Sequence, residues 1–361
     1  MEEAGASIHA STGREVFAYT GETLRSTIPT VLETLGEVIT APKLYPWEVN
    51  EVIHEYETVS ELAAADPNAI VTAGIHAAAF GAVSNLGHPV YPGKDAVHHV
   101  NSDTVRTFLG NQFSGSNIVV TGINVAHSDL ASLAEGILGT IPQGTSATST
   151  KATYAGGEAL YRTDSNVAHV SVALSAPSKT SSSYHTLNVV KTLLGSKSVV
   201  RSTANHTEYG RQSRLNKVAD SSFSTLSAFT ASYSDAGLLG ITGSSSNADA
   251  GKLINVAVRA LKELVSAPVS TAELERAKQA YKLSYALGKD TSSGNRNNLG
   301  NQLLYNGKVT SMKDTFAAID AITVNDVTNL VKASLSTPVS ISATGSLSYV
   351  PRYDIVNNLL K

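Results

Sequence analysis

The chain has 361 residues and a formal net charge of −3, with 42% hydrophobic and 16% charged residues. This length suggests about two domains, and the slight acidity argues against a nucleic-acid-binding protein, which would carry a basic excess. The sequence contains no cysteine, which excludes disulfide bonds, thiolate zinc sites, iron–sulfur ligation and a cysteine nucleophile.

The first predicted elements are a hairpin and a series of helices. Residues 7–20 alternate in polarity around Thr12, Gly13 and Arg14, a pattern typical of an antiparallel β-hairpin. Helices are predicted on both sides of residues 40–42, and another begins near residue 101, with a capping side chain and an aspartate in its first turn. An edge strand at 119–122 and an amphipathic helix at 129–138 complete this series.

A segment rich in Gly, Ser, Thr and Ala, residues 143–157, is predicted to be a linker. A second series of elements follows it. This series begins with a strand at 167–174, a helix at 181–194 and a polar loop that reaches residue 222, and it continues with a hairpin at 226–242. The longest apolar runs are only strand-length, so we expect any association with a membrane to be peripheral.

The second series repeats the first at a spacing of 222 to 226 residues. Residues 40–42 (Thr-Ala-Pro) recur as 266–268 (Ser-Ala-Pro), and in both places an apolar-periodic helix precedes them and another helix follows. Residues 119–122 likewise match 342–345. The repeat predicts a first domain over 1–142, a linker over 143–157 and a second domain over 158–361.

The two copies differ at their front ends. Phe223 aligns with Met1, so the strand, helix and loop that precede Phe223 have no counterpart in the first copy. We interpret the first unit as N-terminally truncated by about 67 residues on the repeat alignment, or as covered there by a partner. Hairpins with helices gathered on one face of an antiparallel-rich sheet define the α+β class. We therefore expect two homologous layered α/β-roll units.

Two glutamates are the candidate metal ligands. Glu48 and Glu55 lie seven residues apart, so two helical turns place them on one face, with His54 beside them. No His-x-x-Glu-His or His-Glu-x-x-His motif occurs in the sequence, and carboxylates without imidazoles are typical of a solvated helix face. His76 lies in an apolar helix and is predicted to be a hydrogen-bonded packing residue, whereas His98 and its neighbour are predicted to lie in a loop or on the surface.

A mildly basic segment lies in the front part of the second copy. Its charged residues are Lys197, Arg201, Arg211, Arg214 and Lys217. We interpret it as a solvated loop, and contact with acidic lipid headgroups or with a partner is the sharper alternative.

Four segments carry a resemblance to a known family: residues 40–49, 75–80, 227–238 and 345–354. They are similar to the pitrilysin-type (M16) metallopeptidases, which pair two homologous α+β units in a LuxS/MPP-like metallohydrolase fold. Nearly the whole chain resembles one branch of that family, the core protein 2 type subunits of the mitochondrial cytochrome bc1 complex. In active relatives a His-x-x-Glu-His helix and a distal glutamate hold zinc. Glu55 matches the distal position and Glu48 the acidic residue seven earlier, while the histidine helix would precede Met1.

The resemblance implies a structural, non-catalytic subunit on the matrix side of the mitochondrial inner membrane. It implies no catalytic residue, no cofactor and no bound metal, with Glu48 and Glu55 as family acidic positions that lack their histidines. The implied partners are core protein 1, cytochrome b, cytochrome c1, other bc1 subunits and a second copy of the chain. The alternative is a subunit of a mitochondrial processing peptidase or of another M16 zinc peptidase.

Overall fold

The computed structural model describes residues 3, 5–81, 84–91, 93–144, 150–196, 213–219, 222–267 and 269–360. The strands are β1 (Ser7–Thr12), β2 (Phe17–Glu22), β3 (Gly157–Arg162), β4 (Val167–Ala176), β5 (Phe223–Ser232), β6 (Gly237–Ser246) and β7 (Ser340–Gly345). The helices are α1 (Ile28–Thr40), α2 (Pro46–Ala65), α3 (Pro67–Phe80), α4 (Lys94–Val97), α5 (Ser102–Gln112), α6 (His127–Leu138), α7 (Tyr184–Leu194), α8 (Arg214–Val218), α9 (Ala250–Ser266), α10 (Thr271–Asp290), α11 (Ser292–Asn306), α12 (Met312–Asp320), α13 (Val324–Leu335) and α14 (Tyr353–Leu360).

The chain forms two compact units, each of which contains parts of both repeats. Unit 1 comprises residues 1–62, 90–150 and 288–309, and unit 2 comprises 63–89, 151–287 and 310–361. The mixture of helices with a largely antiparallel sheet confirms the predicted α+β class. The predicted domain boundaries at 142 and 158 remain a prediction.

Unit 2 is built on a five-stranded sheet with the order β3-β7-β4-β6-β5, in which only β3 and β7 run parallel. Alternate residues of β4, among them Val170, Val172 and Leu174, are fully buried against helices α9 and α13, in a core that also includes α7. Ala173 points to the opposite face and packs with Ile75 and the rest of the buried side of α3. This sheet therefore carries helices of the second copy on one face and a helix of the first copy on the other.

Unit 1 contains the hairpin of β1 and β2, helices α1, α2, α4, α5 and α6, and helix α11 of the second copy. A Cβ atom added to Gly36 of α1 would collide with Ile137 of α6, so the two helices cross in close contact at that point. Helix α11 is held to the hairpin by an ion pair from Arg296 to Glu22 (2.9 Å) and by a hydrogen bond from the Tyr305 hydroxyl to Glu15 (2.9 Å).

The repeat predicted from the sequence recurs in local geometry. Both hairpins close with a four-residue loop in which the first N–H donates to the last carbonyl at 2.8 Å, from Gly13 to Val16 and from Tyr233 to Ala236. Both 20-residue helices, α2 and α10, follow the Ala-Pro landmark. The predicted helix starts are also confirmed, because α5 and α13 each begin with a capping box, at Asn101 and at Thr323.

The strand predicted at residues 119–122 is wrong. The structure shows irregular backbone there, whereas the matching strand β7 lies between β3 and β4 and is hydrogen-bonded to both. A strand exists only through its ladder to a neighbour. In the described parts of unit 1 the sheet consists of β1 and β2, and no third strand pairs with residues 118–122.

The helix that follows the 20-residue helix of each copy lies in the unit formed mainly by the other copy. Helix α3 packs on β3, β4 and β7 of unit 2, whereas its counterpart α11 belongs to unit 1. Gly74 of α3 permits this packing, since a Cβ atom there would collide with Ser342 of β7 and approach the Tyr161 ring to 2.7 Å. This exchange of helices had no signal in the sequence.

The end of the predicted linker is anchored in unit 2. The hydroxyl of Tyr154 donates to the Pro338 carbonyl at 2.7 Å and lies 2.8 Å from the Ser340 hydroxyl, and Ala152 N–H donates to Asp235 at 2.6 Å. Burial raises the pKa of Tyr154. Residues 150–157 are thus held by specific contacts, while 145–149 lie outside the described residues.

Candidate functional site

The exposed face of α2 carries both candidate glutamates. Glu48 and Glu55 are exposed, as sequence reasoning expected of a solvated face. Helical spacing places them in one row with Val52, which is 60% exposed, and with Val59 and Leu62, which are also exposed. The face is therefore a mixed acidic and apolar surface.

The histidines near α2 gather at a different carboxylate. His54 Nδ1 lies 3.6 Å from Glu57, and His98 Nε2 lies 3.3 Å from the same side chain. The structure therefore does not group His54 with Glu48 and Glu55. Within the part of the chain that the structure describes, no group of three or more His, Asp or Glu residues is arranged to hold a metal ion.

His76 is the buried histidine of α3, with 3% of its surface exposed. Its Nδ1 lies 2.6 Å from the carbonyl of Thr72, one turn earlier, and its Nε2 lies 2.6 Å from the Tyr233 hydroxyl. The rings of Phe80 and Tyr233 flank it. This confirms the prediction of a hydrogen-bonded packing residue, since both ring nitrogens have partners.

Arg214 contradicts the interpretation of the basic segment as a solvated loop. Its side chain is 10% exposed and forms a two-point ion pair with Glu273, with Nε and Nη2 each 3.1 Å from a carboxylate oxygen. Its Nη1 donates to the carbonyls of Glu263 (2.7 Å) and Ala267 (3.1 Å) at the end of α9. Lys197, Arg201 and Arg211 lie outside the described residues.

This arrangement satisfies a buried guanidinium. Burial acts to raise the pKa of Glu273, but the hydrogen bonds and charge of Arg214, assisted by Lys217 and Arg276, outweigh it and leave the pKa below its usual value. The carboxylate therefore stays ionised, and the bidentate geometry fixes α8 against the start of α10. Sequence reasoning missed this pair because the two residues are 59 positions apart.

A cleft of about 620 Å³ lies in unit 2 between the end of β4 and helices α7, α12 and α13. Its titratable lining residue is Asp326, whose carboxylate accepts hydrogen bonds from the Thr323 N–H and hydroxyl, both at 2.8 Å. Those bonds hold the pKa of Asp326 below its usual range. The carboxylate is occupied as a helix cap, so the lining offers no paired acid and base.

Among the described residues, no helix combines the length and the apolar character that crossing a bilayer requires.

Two family models match the chain. One, described as the Peptidase M16 inactive domain, matches residues 99–281, and the other, described as Insulinase (Peptidase family M16), matches residues 1–91.

Curated relatives align over almost the full length of this chain and over about three quarters of their own length. The chain is 29% identical to the cytochrome b-c1 complex subunit 2, mitochondrial, of Rattus norvegicus, covering 98% of this chain and 77% of the relative. It is 26% identical to a probable mitochondrial-processing peptidase subunit alpha-1 of Arabidopsis thaliana, covering 99% and 71%.

Among solved structures, a chain of the Candida albicans complex III dimer with Inz-5 bound superposes with a TM-score of 0.89. The two chains are 20% identical, and the match covers 99% of this chain and 86% of the other. At that identity the match establishes the fold.

Proposed function

Because the chain belongs to the M16 peptidase family, we propose that it is a structural, non-catalytic core subunit of the mitochondrial cytochrome bc1 complex, of the core protein 2 type. The observation that carries the proposal is the alignment of 98% of the chain with the rat subunit 2. The superposition on a chain of the Candida complex III supplies a matching fold. In this role the chain would support assembly and stability of the ubiquinol–cytochrome c reductase dimer.

The match of residues 99–281 to the family's inactive domain supports a role without catalysis. An M16 peptidase needs imidazole and carboxylate ligands for zinc, which activates water for hydrolysis. In the described part of the chain Glu48 and Glu55 project to solvent, while His54 and His98 approach Glu57.

The proposed partners follow from the same assignment. We infer contacts with core protein 1, cytochrome b, cytochrome c1 and other bc1 subunits, and with a second copy of the chain in the dimer. We place the chain at the matrix face of the inner membrane as a peripheral subunit. The exposed apolar residues Trp47, Val52 and Leu62 of unit 1 suit burial against another subunit.

The second candidate function is that of a subunit of a mitochondrial processing peptidase. The alignment with the Arabidopsis alpha-1 subunit over 99% of the chain favours it. Isolation of a soluble heterodimer of this chain and one catalytic homologue would identify this second function.

The test is affinity purification of the tagged native chain from mildly solubilised mitochondria. We expect cytochrome b and cytochrome c1 to co-purify in constant ratio, with their haem absorption in the same fractions. Recovery of a soluble heterodimer that cleaves presequence peptides, without haem, would refute the structural role and establish the second candidate. A control purification from untagged mitochondria defines the background.

A further inference from the structure

Unit 2 contains a guanidinium-binding site formed where α9 turns into α10. Its carboxylate is Glu273, the third residue of the 20-residue helix α10. Its two carbonyls are those of Ala267, the C-cap of α9, and Glu263, four residues earlier. Arg214 fills the site with all three of its nitrogens engaged.

Unit 1 repeats the same groups where α1 turns into α2. Glu48 is the third residue of the 20-residue helix α2, Ala41 is the C-cap of α1, and Glu37 lies four residues earlier. The cap hydrogen bond is the same in both copies. The Ala41 N–H donates to the backbone carbonyl of Glu37 at 2.9 Å, and the Ala267 N–H donates to the backbone carbonyl of Glu263 at 3.0 Å. The connecting loop is one residue longer in unit 1, and Leu44 adopts a positive φ of 49° there.

The site in unit 1 has no cation among the described residues. The carboxylate of Glu48 forms no hydrogen bond or ion pair within them and is exposed, whereas the side chain of Glu273 is 13% exposed. The guanidinium of Arg106 lies near this loop, but its nitrogens contact Asp103 (3.3 Å) and the Lys43 carbonyl (3.4 Å). The acceptors are thus present without the donor that the other copy has.

We propose that Glu48 and the carbonyls of Glu37 and Ala41 form a binding site for an arginine side chain supplied by polypeptide outside the described residues. The choice of arginine over lysine follows from the matching site in unit 2. There two carboxylate oxygens and two carbonyls bind the planar fork of a guanidinium, which donates in several fixed directions, whereas an ammonium is a point charge with three donors. The site goes beyond the proposed function, since it names a residue-level contact that holds whichever assembly contains the chain.

The proposal separates the two glutamates of α2. Glu48 matches Glu273, but Glu55 matches Ala280, which has no charge and no part in the ion pair. Glu48 is therefore an ion-pair acceptor, and Glu55 is not. This provides a matched control on the same exposed face of the same helix.

The test is a cryo-EM map of the native assembly together with two variants, Glu48→Gln and Glu55→Gln. We expect a guanidinium within hydrogen-bonding distance of Glu48 and of the Ala41 carbonyl. Tracing its backbone tells whether the arginine belongs to the same polypeptide or to another subunit, and either source supports the proposal. Water, a lysine, a metal ion or Arg106 in that position would overturn it.

The variants add a thermodynamic readout on the purified assembly. We expect Glu48→Gln to lower the melting temperature of the assembly by about 4 °C or more, because a desolvated guanidinium loses its charged partner. Glu55→Gln should leave it unchanged. Equal shifts for both variants, or none for either, would contradict the arginine site even if the chain co-purifies with cytochrome b.

Discussion

The two copies of the repeat share the hairpin and the helices that follow it, and they differ in what surrounds them. Strand β7 lies between two neighbours and is fully buried, whereas residues 118–122 of the first copy match it in sequence and form no strand. Glu273 is paired with a buried arginine, and its counterpart Glu48 is exposed. Local sequence thus sets the helix ends and turns in both copies. The strand and the ion pair, in contrast, form only where a partner segment is present.

The largest difference is expected at the ion pair. Arg214→Ala should destabilise the protein by about 3–5 kcal/mol, because it leaves Glu273 largely buried without its partner. The matched control is Arg259→Ala, which removes the exposed pair with Glu263 on α9 and should cost less than about 1 kcal/mol. Urea denaturation of the purified chain measures both, and equal losses would show that the Arg214 pair is not buried in solution.

The strand and its unpaired counterpart should also respond differently. Ile341→Ala in β7 removes a side chain that is 1% exposed and should cost about 2–5 kcal/mol. Ile118→Ala, at the matching position of the first copy, removes a partly exposed side chain and should cost less than half as much. Denaturation midpoints decide this, and a similar cost at both positions would indicate a packed strand in the first copy too.

The helix caps should show no difference between the copies, because a cap depends on adjacent residues alone. Asn101→Ala and Thr323→Ala each remove the side chain of a capping box and should each cost about 1 kcal/mol. Thermal unfolding followed by circular dichroism measures both effects. A cost confined to one copy would break the local equivalence of the two repeats.

The smallest expected effect is a dependence on pH. The pKa of Glu273 is lowered in the folded state, so the stability that its ionised form contributes is present above the unfolded pKa and is lost as pH falls through the folded pKa. The stability difference between the wild type and Glu273→Gln should therefore shrink on acidification below about pH 4. If this stability difference stays constant from pH 7 to below about pH 4, the ion pair between Glu273 and Arg214 is not its cause.

Much of the fold follows from neighbouring residues. Both hairpin turns, the helix starts at Asn101 and Thr323, and the final helix Tyr353–Leu360 were predictable, because turn chemistry, capping and amphipathic spacing act over a few residues. The solvated glutamates of α2 and the buried His76 were predictable from the polarity of their helices. The burial of Arg214 was not predictable, because the surrounding sequence is polar and its partner Glu273 lies on another helix.

The sequence by itself determined the repeat, the α+β class, both hairpins and the family resemblance, because all of these depend on short-range pattern and on aligned landmarks. Only the tertiary structure decided that helices α3 and α11 are exchanged, that residues 118–122 remain unpaired and that Arg214 is buried against Glu273. These outcomes depend on contacts and hydrogen bonds between residues that are far apart in the sequence. The conformational preferences of neighbouring residues do not determine which distant segments come into contact.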